Sequence, residues 1–280
     1  MHYMQAPNQE GGLRFMSKDE VRDVCPVAFE KAPTNPDLSE QYQHADTETI
    51  IDDLAELGWY PTRAMMRKRR KKGTIFSKHM VVFTNPDIKI TGDDEVYPQL
   101  LVTNSHDGFN AFKFHVGLFR MICSNGLVVS TEDFAKFRIP HKGYTFDQLR
   151  EVVAKTVEAL PEQVTVMNKM QERILTEQEQ YDLALQAVLL RSGIGTGSTK
   201  HDIEVTQDTL KEILEPIRRE DRGDDLWRVF NRVQESMVDG GFTASLRPGK
   251  KARKVRSIAS FEKDLKVNQE LFNYALEMVA

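Results

Sequence analysis

The spacing of hydrophobic and polar residues changes twice along the chain. Residues 1–46 contain four prolines and no sustained period, which predicts a loosely ordered arm. Its apolar piece, residues 24–29, could dock on the body of the protein or on a neighbouring molecule. Hydrophobic residues within 47–57 then recur at intervals of three and four, so we expect an amphipathic helix that begins near Asp46 and ends at Gly58.

Residues 59–130 have the pattern of an antiparallel sheet. Aromatic and β-branched residues cluster at 59–62 and 74–84 and are joined by a basic stretch, which predicts a hairpin with a cationic tip. Val96–Thr103 and Phe109–Ile122 are expected to be further strands. Asn125-Gly126 is typical of a tight hairpin turn.

From Thr145 the period becomes helical and remains so through Leu160. Pro161 is placed as the first residue of a second helix, and Thr176 to Glu179 match a capping box. The glycine-rich residues 192–200 predict a flexible connection between lobes. Later helices are expected at 181–190, 210–217, 226–237 and 265–279.

Together these elements predict an α+β fold, with an antiparallel β-sheet and flanking helices followed by a mainly helical C-terminal half. The expected organisation has three segments. These are a loosely ordered arm at 1–46, an α+β core with the basic hairpin and long helices at 47–191, and a helical lobe with a basic loop at 200–280.

Composition narrows the class of protein. The 280 residues are 40% hydrophobic and 29% charged, the balance of a soluble globular protein. No apolar run is long enough to span a membrane and the N-terminus lacks a secretory pattern, so neither is expected. Cys25 and Cys123 are too few for a disulfide framework or a zinc knuckle, which favours a reducing, cytoplasmic location.

Charge is distributed unevenly. Residues 57–86, the first basic segment, hold eight basic and no acidic residues, and residues 240–261, the second basic segment, hold six and none. The rest of the chain has 24 basic against 42 acidic residues, a balance of −18. Such polarity favours a surface that faces a polyanion, although two solvated loops would give the same pattern. The candidate nucleic-acid-binding residues are Arg63, Arg67, Lys68, Arg69, Arg70, Lys71, Lys72, Lys78, Arg247, Lys250, Lys251, Arg253, Lys254 and Arg256.

Aromatic residues lie among the cations of the first basic segment. Lysine and arginine neutralise phosphates, and rings beside them can stack on unpaired bases. This combination favours single-stranded nucleic acid, while the alternative is that most of the rings belong to the sheet core. The run 67–72 has no lipidation motif or apolar helical face beside it, so no membrane partner is expected. The rings concerned are Trp59, Tyr60, Phe76, Phe83 and Tyr97.

Motifs that would indicate a metal or cofactor are weak. The histidines at 79, 106 and 115 and Asp107 have no compact ligand spacing, and Asp107-Gly108 is typical of a turn. Residues 193–200 follow a helix and place lysine after Ser-Thr, so they fail the phosphate-loop pattern. Cys123 lies in an apolar stretch, which favours a buried thiol over a nucleophile. No cofactor, metal ligand or catalytic residue is assigned, and the chain is expected to be nonenzymatic.

One predicted helix in the second half leaves two interpretations open. Trp227, Asn231 and Glu235 are spaced by four residues, so they lie on one face. In the first interpretation, Trp227 is a core residue beside a polar edge of the helix. In the second, Asn231 and Glu235 hold the second basic segment against the body of the protein as an ordered clamp.

Several motifs together resemble a known family. Leu101–Gly108, Arg120–Leu127, Pro140-His141, Asp225–Glu235, Gly240-Gly241 and Asn268 occur in the order found in the phage- and plasmid-borne family of unknown function numbered nine-three-two. The resemblance runs from about residue 47 to the end of the chain. It implies a mobile-element origin and carries no activity with it.

The order of the predicted elements is also similar to that of single-strand annealing proteins of the Rad-fifty-two type, which phage recombination proteins such as Erf resemble. This likeness implies a homo-oligomer that binds single-stranded DNA through the basic hairpin. We therefore expect a phage-like DNA-binding protein that acts in recombination or replication. The alternatives are a module that binds a host or phage protein to counter a defence system, and a metal-dependent nuclease that uses His106 and Asp107.

Overall fold

The computed structural model describes residues 14–31, 46–66, 77–88, 96–105, 112–120, 126–127, 138–139, 145–193, 205–246 and 250–279. Its contacts divide the chain into two compact units, residues 1–160 and 161–280, which we call unit 1 and unit 2. The mixture of helices with an antiparallel sheet confirms the α+β class. The three-segment organisation expected from the sequence stays a prediction.

Within the described residues the chain forms seven α-helices and eight strands. The helices are α1 (Lys18–Val24), α2 (Thr47–Glu56), α3 (Phe146–Glu172), α4 (Glu177–Ser192), α5 (Gln207–Leu214), α6 (Leu226–Asp239) and α7 (Phe261–Glu277). The strands are β1 (Tyr60–Met66), β2 (His79–Thr84), β3 (Val96–Asn104), β4 (Phe112–Arg120), β5 (Gly126–Leu127), β6 (Arg138–Ile139), β7 (Thr243–Ala244) and β8 (Arg253–Lys254). Short 3-10 helices lie at Pro26–Phe29 and Arg219–Asp221.

Unit 1 is built on an antiparallel sheet in the order β1-β2-β3-β4-β5, with β6 also paired to β4. In its register Phe83 lies opposite Leu100 and Val81 lies opposite Val102. These side chains are buried against α2 and the start of α3, whose apolar faces supply much of the rest of the core. The hairpin expected from residues 59–84 is therefore confirmed, and its tip, 67–76, lies outside the described residues.

Part of the N-terminal arm is ordered, which corrects the expectation of a loose arm for residues 14–31. Ser17 caps α1 and Glu20 completes a capping box, a local signal that stabilises even a short helix. Val21, Cys25 and Val27 are then buried, and Val21 belongs to the core of unit 1. The apolar piece at 24–29 docks on the body of the protein because Cys25, Val27 and Ala28 gain a buried environment there.

Two predicted helix boundaries were wrong. α3 runs through Pro161 without starting a new helix. Proline costs this helix one hydrogen bond, yet burial continues on both sides of it, at Leu160 and Met167. The helix expected to reach Ile217 ends at Leu214, because Pro216 disfavours helical backbone at the preceding residue, and Glu215 is extended.

Unit 2 is helical and packs its helices around aromatic residues of α6 and α7. The rings of Trp227 and Phe230 are stacked, and Phe272 meets Phe230 edge-on at 5.9 Å between centroids. All three side chains are buried. Among the described residues, no helix is long and apolar enough to cross a membrane.

Candidate nucleic-acid interface

The second basic segment forms a short hairpin after α6. Thr243 lies opposite Lys254 and Ala244 opposite Arg253 in the β7–β8 register. Its described cations are exposed, and none of them takes part in an ion pair within the described residues. Neighbouring like charges that have no carboxylate partner create a positive surface, which attracts phosphates. These cations are Lys250, Lys251, Arg253, Lys254 and Arg256.

Main-chain hydrogen bonds pair the two arms of this hairpin and join the segment after it to α6, where the Ile258 N–H donates to the carbonyl of Val238 at 2.8 Å. Gly241 donates to the carbonyl of Val255 at 2.9 Å, and Val255 donates to the carbonyl of Phe242 at 2.8 Å. The Ser245 hydroxyl closes the loop by donating to the carbonyl of Lys250 at 2.6 Å. The basic side chains therefore project from a backbone that is itself fixed.

Gly240 makes this close approach possible. Its φ is +74° and its ψ is −143°, a combination that is essentially restricted to glycine. A Cβ atom at this position would lie 2.4 Å from the carbonyl oxygen of Val255 and 2.9 Å from that of Arg256. The Gly240-Gly241 pair, one of the motifs shared with the family that the sequence resembles, thus lets the basic hairpin pack on the end of α6.

Arg191, in the last turn of α4, binds the same segment from the buried side of the hairpin. Its side chain is buried, and its Nη1 and Nη2 donate to the carbonyls of Met237 and Arg256, each at 2.5 Å. Burial lowers the pKa of this guanidinium, and the charge of Asp264 acts in the opposite direction. Since arginine stays charged at neutral pH, a buried cation lies directly under the basic hairpin.

A cavity of about 680 Å³ opens between this arginine, the hairpin and the start of α7. Among the described residues that line it, none is acidic. Apolar side chains of Ala244, Leu246 and Val255 form part of its wall. The basic residues in the lining are Arg191, Lys250, Lys251, Arg253, Lys254, Arg256 and Lys263.

The structure therefore brings together five of the six cations expected in the second basic segment, and the sixth, Arg247, lies outside the described residues. Arg191 and Lys263 were missed by the sequence analysis. Arg191 is a basic residue in the last turn of a helix, a common feature that stabilises the helix dipole and indicates no ligand by itself. Only the packing of α4 against α6 places it under the hairpin.

The first basic segment is described only at its two ends. Arg63 is exposed on β1 and Lys78 is half-buried just before β2. Met66 and His79 face each other in the register, so the chain between them connects β1 and β2 at this end of the sheet. The other candidate cations, Arg67, Lys68, Arg69, Arg70, Lys71 and Lys72, lie outside the described residues.

The aromatic residues near this segment are mostly part of the core. Trp59 and Phe83 are fully buried, so they cannot stack on a base while unit 1 is folded. Tyr60 is half-buried and meets Phe15 edge-on, with 5.7 Å between ring centroids. For Trp59 and Phe83 the alternative interpretation, sheet core, is the correct one. Tyr97 is half-buried on β3, and Phe76 lies outside the described residues.

A cluster of buried polar side chains lies at the end of the sheet where Met66 faces His79. Nε2 of His79 lies 2.9 Å from Oγ1 of Thr47, the first residue of α2, and Nδ1 lies 3.2 Å from the carbonyl oxygen of Ser77. Asn104 also donates from Nδ2 to Thr47 Oγ1 at 3.0 Å. These bonds fasten the start of α2 to β2 and β3, which gives His79 a structural role.

Metal ligands and a thiol nucleophile were the remaining candidates for chemistry. The described residues contain no group of three or more His, Cys, Asp or Glu residues that could hold a metal ion. His106, Asp107 and Cys123 lie outside the described part of the chain. The Cys25 thiol is buried, and burial raises its pKa to about 12, so it stays protonated at neutral pH.

The clamp considered for Asn231 and Glu235 is not formed by these residues. Asn231 donates to the carbonyl of Trp227 at 2.7 Å, within the same helix. Glu235 accepts two hydrogen bonds from Arg218, which also lies 3.6 Å from Asp221. Both polar side chains therefore stabilise α6 and the segment before it, and Arg191 holds the hairpin instead.

Comparison with known proteins identifies a family and similar sequences, but no solved structure with which to compare the fold. The family described as "Domain of unknown function (DUF932)" matches residues 37–270. "UPF0380 protein YafZ" of Escherichia coli (strain K12) is 29% identical over 267 residues, which cover 92% of this chain and 90% of the relative. "UPF0380 protein YfjQ" of the same organism is 28% identical over the same length and coverage. No solved structure matches the chain.

Proposed function

Since the chain belongs to the family described as a domain of unknown function (DUF932), we infer its function from the residues on its own surface. We propose that it is a nucleic-acid-binding protein. The resemblance carried by the motifs at 101–108, 120–127 and 225–235 is thereby confirmed as membership of that family. We further propose that the protein prefers single strands and acts in recombination or replication of a mobile element.

The observation that carries this proposal is the second basic segment. Five exposed cations within residues 250–256 project from one fixed hairpin and have no carboxylate partner among the described residues. Each cation that neutralises a phosphate releases a condensed counterion, which supplies affinity that does not depend on sequence. A fixed hairpin reduces the entropy lost on binding, because the backbone that carries these cations is already ordered.

The preference for single strands is supported by the shape of the site. The cations follow one hairpin and surround a cavity of about 680 Å³, a size that admits one nucleotide unit. A flexible single strand can bend its backbone along the hairpin and turn a nucleotide into this cavity. A duplex is a stiff rod whose bases are stacked and paired, so it can place phosphates only on the outer surface.

A salt titration of binding to labelled single-stranded and double-stranded oligonucleotides of one sequence tests the proposal. We expect tighter binding to the single strand, with log K falling as log salt rises at about −0.7 per phosphate contacted. Annealing of complementary strands in the same samples would support the role in recombination. An absence of binding at low salt would overturn the proposal.

Matched charge variants assign the binding surface. Replacing Lys250, Lys251, Arg253 and Lys254 together by glutamine is expected to weaken binding and flatten the salt slope. A control variant removes the same number of charges from exposed lysines elsewhere, namely Lys155, Lys169, Lys211 and Lys266. Equal losses in both variants would show that net charge, rather than the hairpin, determines binding.

Homo-oligomer formation belongs to the same proposal, because annealing proteins act as assemblies along a strand. It is supported only by the similar order of elements. Native mass spectrometry with and without a single-stranded oligonucleotide measures it directly. A monomer under both conditions would remove the annealing role and leave nucleic-acid binding in place.

A second candidate is a module that binds a host or phage protein. The balance of −18 outside the two basic segments favours it, because an acidic surface can attract basic partners or imitate nucleic acid. Co-purification of a stoichiometric partner, together with no oligonucleotide binding in the salt titration, would support this candidate over the first.

A further inference from the structure

We propose that the cavity beside the second basic segment is a specific site for a terminal phosphate, as found on a free nucleotide or at the end of a nucleic-acid strand. The inference deepens the proposed function, since that function supplies the class of ligand. This inference goes beyond the proposed function because it requires one defined phosphate site in an open cavity, whereas the proposed function requires only a general positive surface.

The first observation is the electrostatic state of Arg191. This guanidinium lines the cavity and is buried, yet both of its hydrogen bonds go to main-chain carbonyls of Met237 and Arg256. Within the described residues it forms no ion pair, and its Nε has no hydrogen-bond partner. Although the charge of Asp264 acts on Arg191, a buried cation without a direct ion pair makes the adjacent space favourable for an anion.

The second observation is that cations reach the cavity from three separate parts of unit 2. Arg191 comes from the end of α4, Lys263 comes from the first turn of α7, and the others come from the hairpin. A phosphate in this space would be approached from several directions, whereas cations along a single loop contact it from one. A dianionic terminal phosphate gains more from such convergence than a monoanionic phosphodiester does.

The third observation is the mixed character of the wall. Ala244, Leu246 and Val255 line the cavity together with the cations. Nucleotide sites combine an apolar surface for the base or sugar with a few polar groups that fix the phosphate. The volume of about 680 Å³ lies in the range typical of such sites.

Calorimetric titration of the whole protein with inorganic phosphate tests the site directly. The ionic strength is held constant with sodium chloride, so that general screening does not contribute. We expect saturable binding of one phosphate per chain. Absence of saturable binding, or a heat that chloride reproduces, would overturn the proposal.

Two lysines of α7 provide a matched pair of variants. Lys263 lines the cavity, while Lys266 lies outside it, with its side chain 70% exposed and 3.6 Å from Glu270. Lys263→Gln is expected to weaken phosphate binding by about 10-fold, a change typical of removing one charge-assisted hydrogen bond, and Lys266→Gln by less than about twofold. Equal effects of the two variants would overturn the assignment to this cavity.

Four ligands then distinguish the source of the phosphate. The first pair is thymidine monophosphate with thymidine, and the second pair is one oligothymidine with a 5′-phosphate or a 5′-hydroxyl. Tighter binding of the phosphorylated oligonucleotide would indicate strand ends as the source. Binding of thymidine monophosphate without any effect of the oligonucleotide's 5′-phosphate would indicate free nucleotides.

The same series separates the two proposals. If oligonucleotides bind but neither inorganic phosphate nor the monophosphate does, the cavity site is wrong and nucleic-acid binding stands. If no ligand binds, both proposals are wrong. If phosphate and the monophosphate bind while oligonucleotides do not, the site stands and its partner is a nucleotide rather than a strand.

Discussion

The buried guanidinium of Arg191 donates a hydrogen bond of 2.5 Å from Nη2 to the main-chain carbonyl of Arg256, 65 positions later in the chain. Its Nη1 donates to Met237, near the end of α6. One side chain thus joins the end of α4, the end of α6 and the basic hairpin. The position of the exposed cations depends on this internal connection.

Replacing Arg191 by lysine should destabilise unit 2. Lysine keeps the charge but lacks the planar group that reaches two carbonyls in different directions. We expect the free energy of unfolding to fall by about 1–3 kcal/mol, measured by urea denaturation, and the affinity for single-stranded DNA to fall as well. The control is Arg222→Lys, an exposed arginine of the same unit. Equal stability of the two variants would contradict the anchoring role.

Replacing Gly240 by alanine should displace the hairpin. The new methyl group would lie 2.4 Å from the carbonyl oxygen of Val255, in addition to the strain of a positive φ. Gly241→Ala is a close control, because its φ is +99° but no atom lies within 4 Å of the added methyl group. We expect Gly240→Ala to lose about 1–3 kcal/mol more than Gly241→Ala in urea unfolding. Similar losses would mean that the hairpin moves without cost.

Neutralising four cations of the first basic segment, Arg69, Arg70, Lys71 and Lys72, should weaken DNA binding about equally for all sequences. The salt slope is expected to flatten by about 0.7 for each phosphate of a single strand that no longer has a cation beside it. Fluorescence anisotropy at several salt concentrations measures both quantities. Unchanged affinity would remove this segment from the binding surface and leave the second basic segment as the contact.

Replacing Thr47 by valine should destabilise unit 1. The change keeps the shape of the side chain but removes the hydroxyl that lies 2.9 Å from His79 Nε2 and 3.0 Å from Asn104 Nδ2. Buried polar groups that each lose a hydrogen bond destabilise a fold by about 1–3 kcal/mol, measured here by thermal or urea unfolding. Thr47→Ser keeps the hydroxyl and should retain most of the stability. A serine variant as unstable as the valine variant would assign the effect to packing.

The thiol of Cys25 should resist alkylation in the folded protein. Burial raises its pKa to about 12, so the reactive thiolate is nearly absent at pH 8, and the side chain is also shielded from the reagent. Because a raised pKa favours the neutral thiol, reactivity should remain low until the pH approaches 12 or the protein unfolds. Peptide mass spectrometry after iodoacetamide treatment, with and without urea, measures Cys25 separately from Cys123. Rapid native labelling of Cys25 would show that unit 1 opens there.

Sequence patterns predicted most local elements correctly, because helices and hairpins depend on short-range spacing and turn chemistry. The helix α2 just before Gly58, the capping box at Thr176 and Glu179 and the hairpin of β1 and β2 all follow from neighbouring residues. The capping box of α1 was available in the same way, at Ser17 and Glu20, and was missed because the arm around it lacks a periodic pattern.

The sequence by itself determined the α+β class, the family and the two clusters of basic charge, since each is a property of residue order and composition. Only the tertiary structure decided that Trp59 and Phe83 are core rather than stacking surfaces, and that Arg191 and Lys263 join the hairpin around one cavity. The physical reason is distance along the chain. Helical period and turn residues report contacts a few positions apart, whereas residues dozens of positions apart meet only when whole helices pack.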